Sequence, residues 1–259
     1  MGNTSMIKAP LYLVSLIPVV YSWKCTGFSN SFLFTIILFF AIASQLFMNI
    51  EMDSEDQERG LKCFESEPLL NVGPCHMMLF KRNQIKLIRA SSLALMLIIA
   101  VLVLLITRML ILIIYGLAGI ALMYAYLKKP LELYKRGIGE ISTFFDFGPV
   151  LVLGSYTALG GRYPLSLIPL SVGFGLIASS IRYSHHLVEE KEGSRRKRFY
   201  PYVHFALLFS SSLTALNLFK VLLLMPVAIL VSVYAARYRY KTWADLIYLL
   251  YFFSVVSFL

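Results

Sequence analysis

The stretch ASSLALMLIIAVLVLLITRMLILIIYGLAGIALMYAYL, residues 90–127, holds a single charge, Arg108, which divides it into apolar runs at 90–107 and 109–127. At 1.5 Å of helical rise per residue, each run is about 27–29 Å long. The hydrocarbon layer of a bilayer is roughly 30 Å thick, so each run is a membrane-spanning helix by length. The pattern repeats in both directions. Further runs at 9–23, 32–50, 138–158, 164–181, 201–217, 219–236 and 243–259 are bounded by charges, Gly, Pro or Asn. Hydrophobic residues make up 58% of the 259-residue sequence and charged residues 15%, with a mean hydropathy of +0.73. Soluble globular domains lie well below that apolar content. The expected fold is all-α, a polytopic membrane bundle of about nine transmembrane helices forming one domain over 1–259. No repeat and no low-complexity tail divides it. The first run is the weakest, because Pro18 interrupts it and Lys24 closes it. It lacks the basic head and small-residue cleavage site of a signal peptide, and is expected to stay in the mature protein.

Charge follows the same alternation. Of 24 Lys and Arg residues, only Lys24, Arg108, Arg162 and Lys220 fall in odd-numbered connections; the other twenty lie at the N-terminus or in even-numbered loops. Connections rich in Lys and Arg stay cytoplasmic. The N-terminus and the loops 51–89, 128–137 and 182–200 are therefore expected on the cytoplasmic side of the cell membrane. This placement accounts for the net charge of +10 without a nucleic-acid partner. All 14 acidic residues crowd the same face, although the orientation rule makes little use of acids. Both signs together point to a polar working surface at the cytoplasmic mouth, and long loops usually carry function. Cys25, Cys63 and Cys75 show no metal-ligand spacing, and Cys25 falls on the opposite face from the other two. Unpaired, reduced thiols are expected.

Three stations on that face could carry chemistry. In NIEMDSEDQERG, at the end of the second span, Asn49, Asp53 and Asp56 are spaced i, i+4 and i+7, which puts both aspartates within about 40° of Asn49 on one helix face. Three oxygen ligands at that spacing suit Mg²⁺, which commonly bridges carboxylates to substrate phosphates. The bland alternative is a solvated acidic helix end. In RYSHHLVEEKEGSRRKR, His185 and Glu189 stand at i, i+4, with His186 and Glu190 on a neighbouring stripe. A second acidic end could help hold metal ions around a diphosphate, while the RRKR run serves orientation or anionic-lipid contact equally well. In AYLKKPLELYKRGIGE, Lys128, Lys129, Lys135 and Arg136 surround Pro130 before Gly137 and Gly139; basic residues beside a Gly-rich helix start favour anions. Glu140 and Asp146 lie in the fifth span, where an acid usually faces a cavity or a partner. His204 is expected to be a hydrogen-bonded packing residue.

Placed at the 2–3, 4–5 and 6–7 loops, these stations resemble the UbiA superfamily of intramembrane prenyltransferases. The run from Tyr126 through Pro130, Gly137, Gly139 and Glu140 to Phe147, Gly148 and Pro149, ending VLGSYTALGG, is similar to the 1,4-dihydroxy-2-naphthoate prenyltransferases of menaquinone synthesis. The family's first acidic motif, Asn-x-x-x-Asp with a further acid beyond, falls on Asn49 and Asp53. The further acid is Gln57 here, and the neighbouring Asp56 is better placed on the shared face. The second motif, Asp-x-x-x-Asp followed by Gly, falls on His185, Glu189 and Gly193, so both aspartates are replaced.

The resemblance implies that Asn49, Asp53, Asp56, His185 and Glu189 are catalytic residues that hold Mg²⁺, or another divalent cation, on a polyprenyl diphosphate. It implies substrate binding by Tyr126, Lys128, Lys129, Lys135, Arg136 and Arg182. The acceptor would be an aromatic quinone precursor, a naphthoate in preference to a benzoate, and the prenyl tail would lie in a chamber open to membrane lipids. Two rivals stand beside this expectation: a UbiA-type enzyme with another acceptor, such as a glycerophosphate lipid, and a degenerate lipid-binding or transport protein.

Overall fold

The computed structural model describes residues 9–65, 71–72, 75–162, 167–186, 194–215 and 218–238. Eight of the nine predicted spans fall wholly or mostly on described residues, and each is helical there; the ninth, 243–259, lies outside them. In chain order the helices are α1 (Ala9–Cys25), α2 (Ser31–Glu58), α3 (Cys75–Leu79), α4 (Arg82–Thr107), α5 (Ile111–Leu127), α6 (Gly139–Phe145), α7 (Leu151–Ala158), α8 (Leu167–His186), α9 (Arg195–Ala215) and α10 (Leu218–Tyr238). Two-residue strands β1 (Phe64–Glu65) and β2 (Asn71–Val72) pair antiparallel between α2 and α3.

The fifth predicted span is one rod in three pieces, with a π-helical turn over Asp146–Val150 joining α6 to α7. Pro149 has no N–H to give to the carbonyl one turn back, and a wider turn is one way a helix absorbs that loss. Pro18 does not end α1, which continues to Cys25; the Ser22 hydroxyl lies 2.8 Å from the Pro18 carbonyl and 3.1 Å from that of Val152 in α7.

Two apolar clusters hold the helices together. One joins α1, α7, α8, α9 and α10 through residues such as Ile17, Val152, Ile177, Leu208 and Val231. The other joins α1, α2, α4 and α7 through Val19, Ile37, Ile99 and Ala158. Glycine sets the closest approach. A Cβ on Gly175 of α8 would stand 2.5 Å from the Phe144 carbonyl oxygen, and one on Gly148 would stand 2.5 Å from that of Ser171.

Much of the outside is apolar. Ile98 and Leu105 on α4, Ile114 and Leu117 on α5 and Leu230 on α10 are each 60% exposed or more. Soluble monomers rarely leave contiguous apolar patches beyond a few hundred Å² uncovered. Among the described residues, Ser31–Glu58, Arg82–Thr107 and Leu167–Ser184 are long and apolar enough to cross a membrane by length and composition. The surface is compatible with a membrane protein.

The cysteine expectation is corrected. Cys63 and Cys75 form a disulfide, and only Cys25 is a free thiol. The reason is the β1–β2 ribbon, whose register sets Phe64 opposite Val72 and doubles the chain back so that the two Cα atoms are 4.9 Å apart. Spacing along the sequence carries no trace of that reversal. Under denaturing conditions, maleimide labelling is expected to modify one cysteine before reduction and three after it. Three labels without reductant would contradict the pairing.

Candidate active site

The acidic end of α2 is fixed by a glycine C-cap. Gly60 adopts φ +73°, its N–H reaches the Gln57 carbonyl, and the Leu61 N–H reaches that of Asp56. These two hydrogen bonds close the helix one residue after Arg59. Asn49, Asp53 and Asp56 share one face, as their spacing predicts. That face points inward, with exposures of 1%, 0% and 4%, so it is not a solvated helix end.

Each of the three meets a side chain from elsewhere in the bundle or the next turn. Asn49 Oδ1 accepts from Gln45 Nε2 at 3.0 Å, and Gln45 Oε1 in turn accepts from the Ser15 hydroxyl of α1. Asp53 Oδ2 lies 2.8 Å from the His76 backbone N and 2.7 Å from His76 Nδ1. His76 is itself buried at 1% exposure, on the short helix α3 that the disulfide ties down. Asp56 Oδ1 accepts from the Tyr134 hydroxyl at 2.6 Å and faces Arg59 Nη1 at 3.7 Å. Burying a charge is costly unless it is paired or hydrogen-bonded; here both aspartates are hydrogen-bonded, and Asp56 also faces the Arg59 guanidinium.

The same helix end carries a second acidic row. Glu51 pairs with Arg89 of α4 and lies 3.9 Å from Lys128. Glu55 accepts from Lys128 Nζ at 2.5 Å and faces Lys135 Nζ at 3.4 Å. Burial pushes the Glu51 carboxyl above the usual carboxylate range, against the pull of Arg89 and Lys128. Burial raises Glu55 as well, but hydrogen bonds and charge from Lys128 and Lys135 outweigh it and hold that carboxyl below the usual range.

The loop between α5 and α6 closes over this end. The Leu133 and Tyr134 amides bond to the Ala125 and Tyr126 carbonyls, and Gly137 turns the chain at φ +71°. That fold sets the Tyr126 and Tyr134 rings 5.5 Å apart, and Gly139 leaves the room, since a Cβ there would meet the Tyr126 ring at 2.6 Å. Arg182, near the end of α8, then lies with its guanidinium 5.3 Å from the Tyr126 ring centre and 4.8 Å from that of Tyr134. Arg59 covers Tyr134 at 5.2 Å. Cations over aromatic faces at such distances are attracted by the ring quadrupole.

One residue from each of the three segments singled out in the sequence therefore meets the others at one end of the bundle. Asp56 of α2, Tyr134 of the loop and Arg182 of α8 form a continuous chain of contact. Two predicted residues stand apart from it. Lys129 is exposed and makes no ion pair among the described residues, and Arg136 donates to the Pro130 carbonyl at 2.7 Å and lines a separate groove. His185 belongs to the last turn of α8, its side chain outside the described residues, and Glu189 lies outside them altogether.

The oxygens of Asn49, Asp53 and Asp56 have the chemistry that Mg²⁺ takes, and the other two residues of the expected ligand set, His185 and Glu189, have side chains outside the described residues. Each of the first three has an oxygen engaged by Gln45, His76 or Tyr134, and among the described residues no group of three His, Cys, Asp or Glu side chains could hold an ion. Sequence reasoning missed His76, Tyr134 and the Glu51 and Glu55 ion pairs. Tyr134 sat within a motif already singled out; His76 left no signal, being 23 residues from Asp53. His204 is a packing residue as expected, with Nδ1 2.9 Å from the Ser232 hydroxyl.

No family model and no solved structure matches this chain. It is similar to a curated protein of Synechocystis sp., a 2-carboxy-1,4-naphthoquinone phytyltransferase, at 24% identity over 230 residues, covering 86% of this chain and 72% of that protein.

Proposed function

We propose that this chain is an intramembrane prenyltransferase of the UbiA type, which moves a polyprenyl group from its diphosphate onto an aromatic quinone precursor, naphthoate-type in preference. The observation that carries the reading is the linkage of Asp56, Tyr134 and Arg182, which joins the three motif-bearing segments. The similarity to the phytyltransferase supports it at the level of prenyl transfer to a quinone-type acceptor.

In this reading the donor's C–O bond breaks and the diphosphate departs with the electron pair. A C–C bond forms to the acceptor ring, and that ring carbon gives up its proton to the departed diphosphate. Lys128, Lys135 and Arg182 offset the charge that grows on the leaving group, as preorganised cations do in a buried site. The Tyr126 and Tyr134 faces already hold a guanidinium, and the same quadrupole favours an allylic cation beside them. The packed bundle keeps water from that cation. A divalent ion arriving with the diphosphate, Mg²⁺ by its oxygen preference, is part of the proposal, and no step is routed through it.

Basic residues around the active end favour a cytoplasmic orientation, and the Cys63–Cys75 disulfide favours an oxidising one. The former is proposed, so that a cysteine replacing Lys129 labels from the cytoplasmic side, and labelling from the other side would overturn it. The deciding experiment incubates the purified full-length protein in lipid nanodiscs with polyprenyl diphosphates, naphthoate or benzoate acceptors, and several divalent ions. Diphosphate release and a prenylated naphthoate are expected by mass spectrometry. A protein that releases no diphosphate under any of these conditions is not this enzyme.

A further inference from the structure

Beside the acidic site, with Lys135 between the two, α6, α8 and α9 line an open groove of about 720 Å³, within the range of roughly 300–1,000 Å³ typical of ligand pockets. Its walls are apolar, built from Ile141, Phe144, Leu176 and Leu207, and one end is basic, built from Lys135 and Arg136. None of Asn49, Asp53 and Asp56 lines it.

The two cations differ. Lys135 is held by Glu132 at 2.7 Å and Glu55 at 3.4 Å. Arg136 spends one N–H on the Pro130 carbonyl and has no acidic partner among the described residues. A guanidinium carries five N–H donors in a planar fork, so Arg136 is positioned at the groove mouth with its charge and most of its donors unspent. Glu140 also lines the groove, which disfavours a small, multiply charged anion there. The Ser179 hydroxyl is committed to the Glu140 carbonyl. Ile141 is 54% exposed although it forms part of an apolar wall.

We propose that this groove binds one anionic phospholipid of the surrounding bilayer, its headgroup phosphate on Arg136 and an acyl chain along the apolar walls. Complementarity decides the occupant. Arg136, the groove cation with no acidic partner among the described residues, suits the single charge of a phosphodiester better than a multiply charged anion that Glu140 would repel, and exposed apolar walls suit a hydrocarbon chain. Basic pockets between membrane helices recognise anionic headgroups on the same physics. The proposal rests on the bilayer reading above, but not on the prenyl-transfer chemistry.

The test is native mass spectrometry of the purified full-length protein with phosphatidylglycerol or phosphatidylcholine of matched chains. Phosphatidylglycerol is expected to be retained in preference. Arg136→Gln should weaken it about fivefold, the equivalent of about 1 kcal/mol per basic residue at a membrane surface, with phosphatidylcholine unchanged. Arg136→Lys should keep most of the preference, and Leu207→Trp, which fills the groove, should reduce retention. Equal retention of the two lipids, or Arg136→Gln behaving as wild type, would overturn the proposal, as would displacement of the lipid by inorganic phosphate. Alkaline extraction of membranes keeps the two readings apart. A protein released by carbonate refutes bilayer insertion, whereas one that stays inserted and shows no headgroup preference refutes the groove alone.

Discussion

Asp53→Asn is expected to lower prenyl transfer by about 100-fold or more, the scale of losing one preorganised electrostatic group, while the protein still folds. The choice of Asn follows from the geometry. Asp53 is fully buried, and one of its oxygens meets both the His76 amide and His76 Nδ1. Asparagine keeps a carbonyl oxygen in that place while it removes the charge and turns the other oxygen into an NH2 donor. Exchanging charge-assisted bonds for neutral ones costs about 1–2 kcal/mol. Asp53→Ala would instead strand two buried donors at about 1–3 kcal/mol each, and lost activity could then reflect a displaced α3. Turnover and thermal unfolding measured on the same Asp53→Asn preparation separate the two effects. Wild-type turnover in a folded Asp53→Asn protein would remove Asp53 from the machinery and weaken the mapping of the first acidic motif.

Gly175→Val should have the largest effect on stability. Its Cβ would stand 2.5 Å from the Phe144 carbonyl oxygen and 2.8 Å from the Phe144 ring. The first contact is with backbone, which cannot swing aside, so α8 must move away from α6. Overpacking of this kind costs about 1–3 kcal/mol and occasionally more. A fall in melting temperature of about 5–10 °C is expected for a chain of this size. Gly116 supplies the control. Nothing lies within 4 Å of a Cβ built there, and Gly116→Ala should be neutral or slightly stabilising through helix propensity. If Gly175→Val melts with the wild type, the close approach of α6 and α8 is not as described.

The helices were legible because their signal is local. Residues 90–127 declare two rods by run length alone, and α4 and α5 occupy them. The i, i+4, i+7 spacing of Asn49, Asp53 and Asp56 gave their shared face correctly, since helical geometry depends only on sequence separation. Whether that face meets water or protein does not. Glu51 and Glu55 belong to the acidic run that the sequence assigns to a polar working surface, and they are buried because α4 brings Arg89 and the 128–138 loop brings Lys128 and Lys135.

Run length, charge alternation and motif spacing by themselves determined the helical architecture and the three segments that carry polar chemistry. Tertiary structure alone decided the partners: His76 on Asp53, Tyr134 on Asp56 across 78 residues, Arg182 over two tyrosine rings, and a disulfide where reduced thiols were expected. It also turned Arg136 away to a groove of its own. The physical reason is that helix formation and membrane-length burial are summed over neighbours in the chain, whereas a buried carboxylate is stabilised by whatever donor the packing delivers to it.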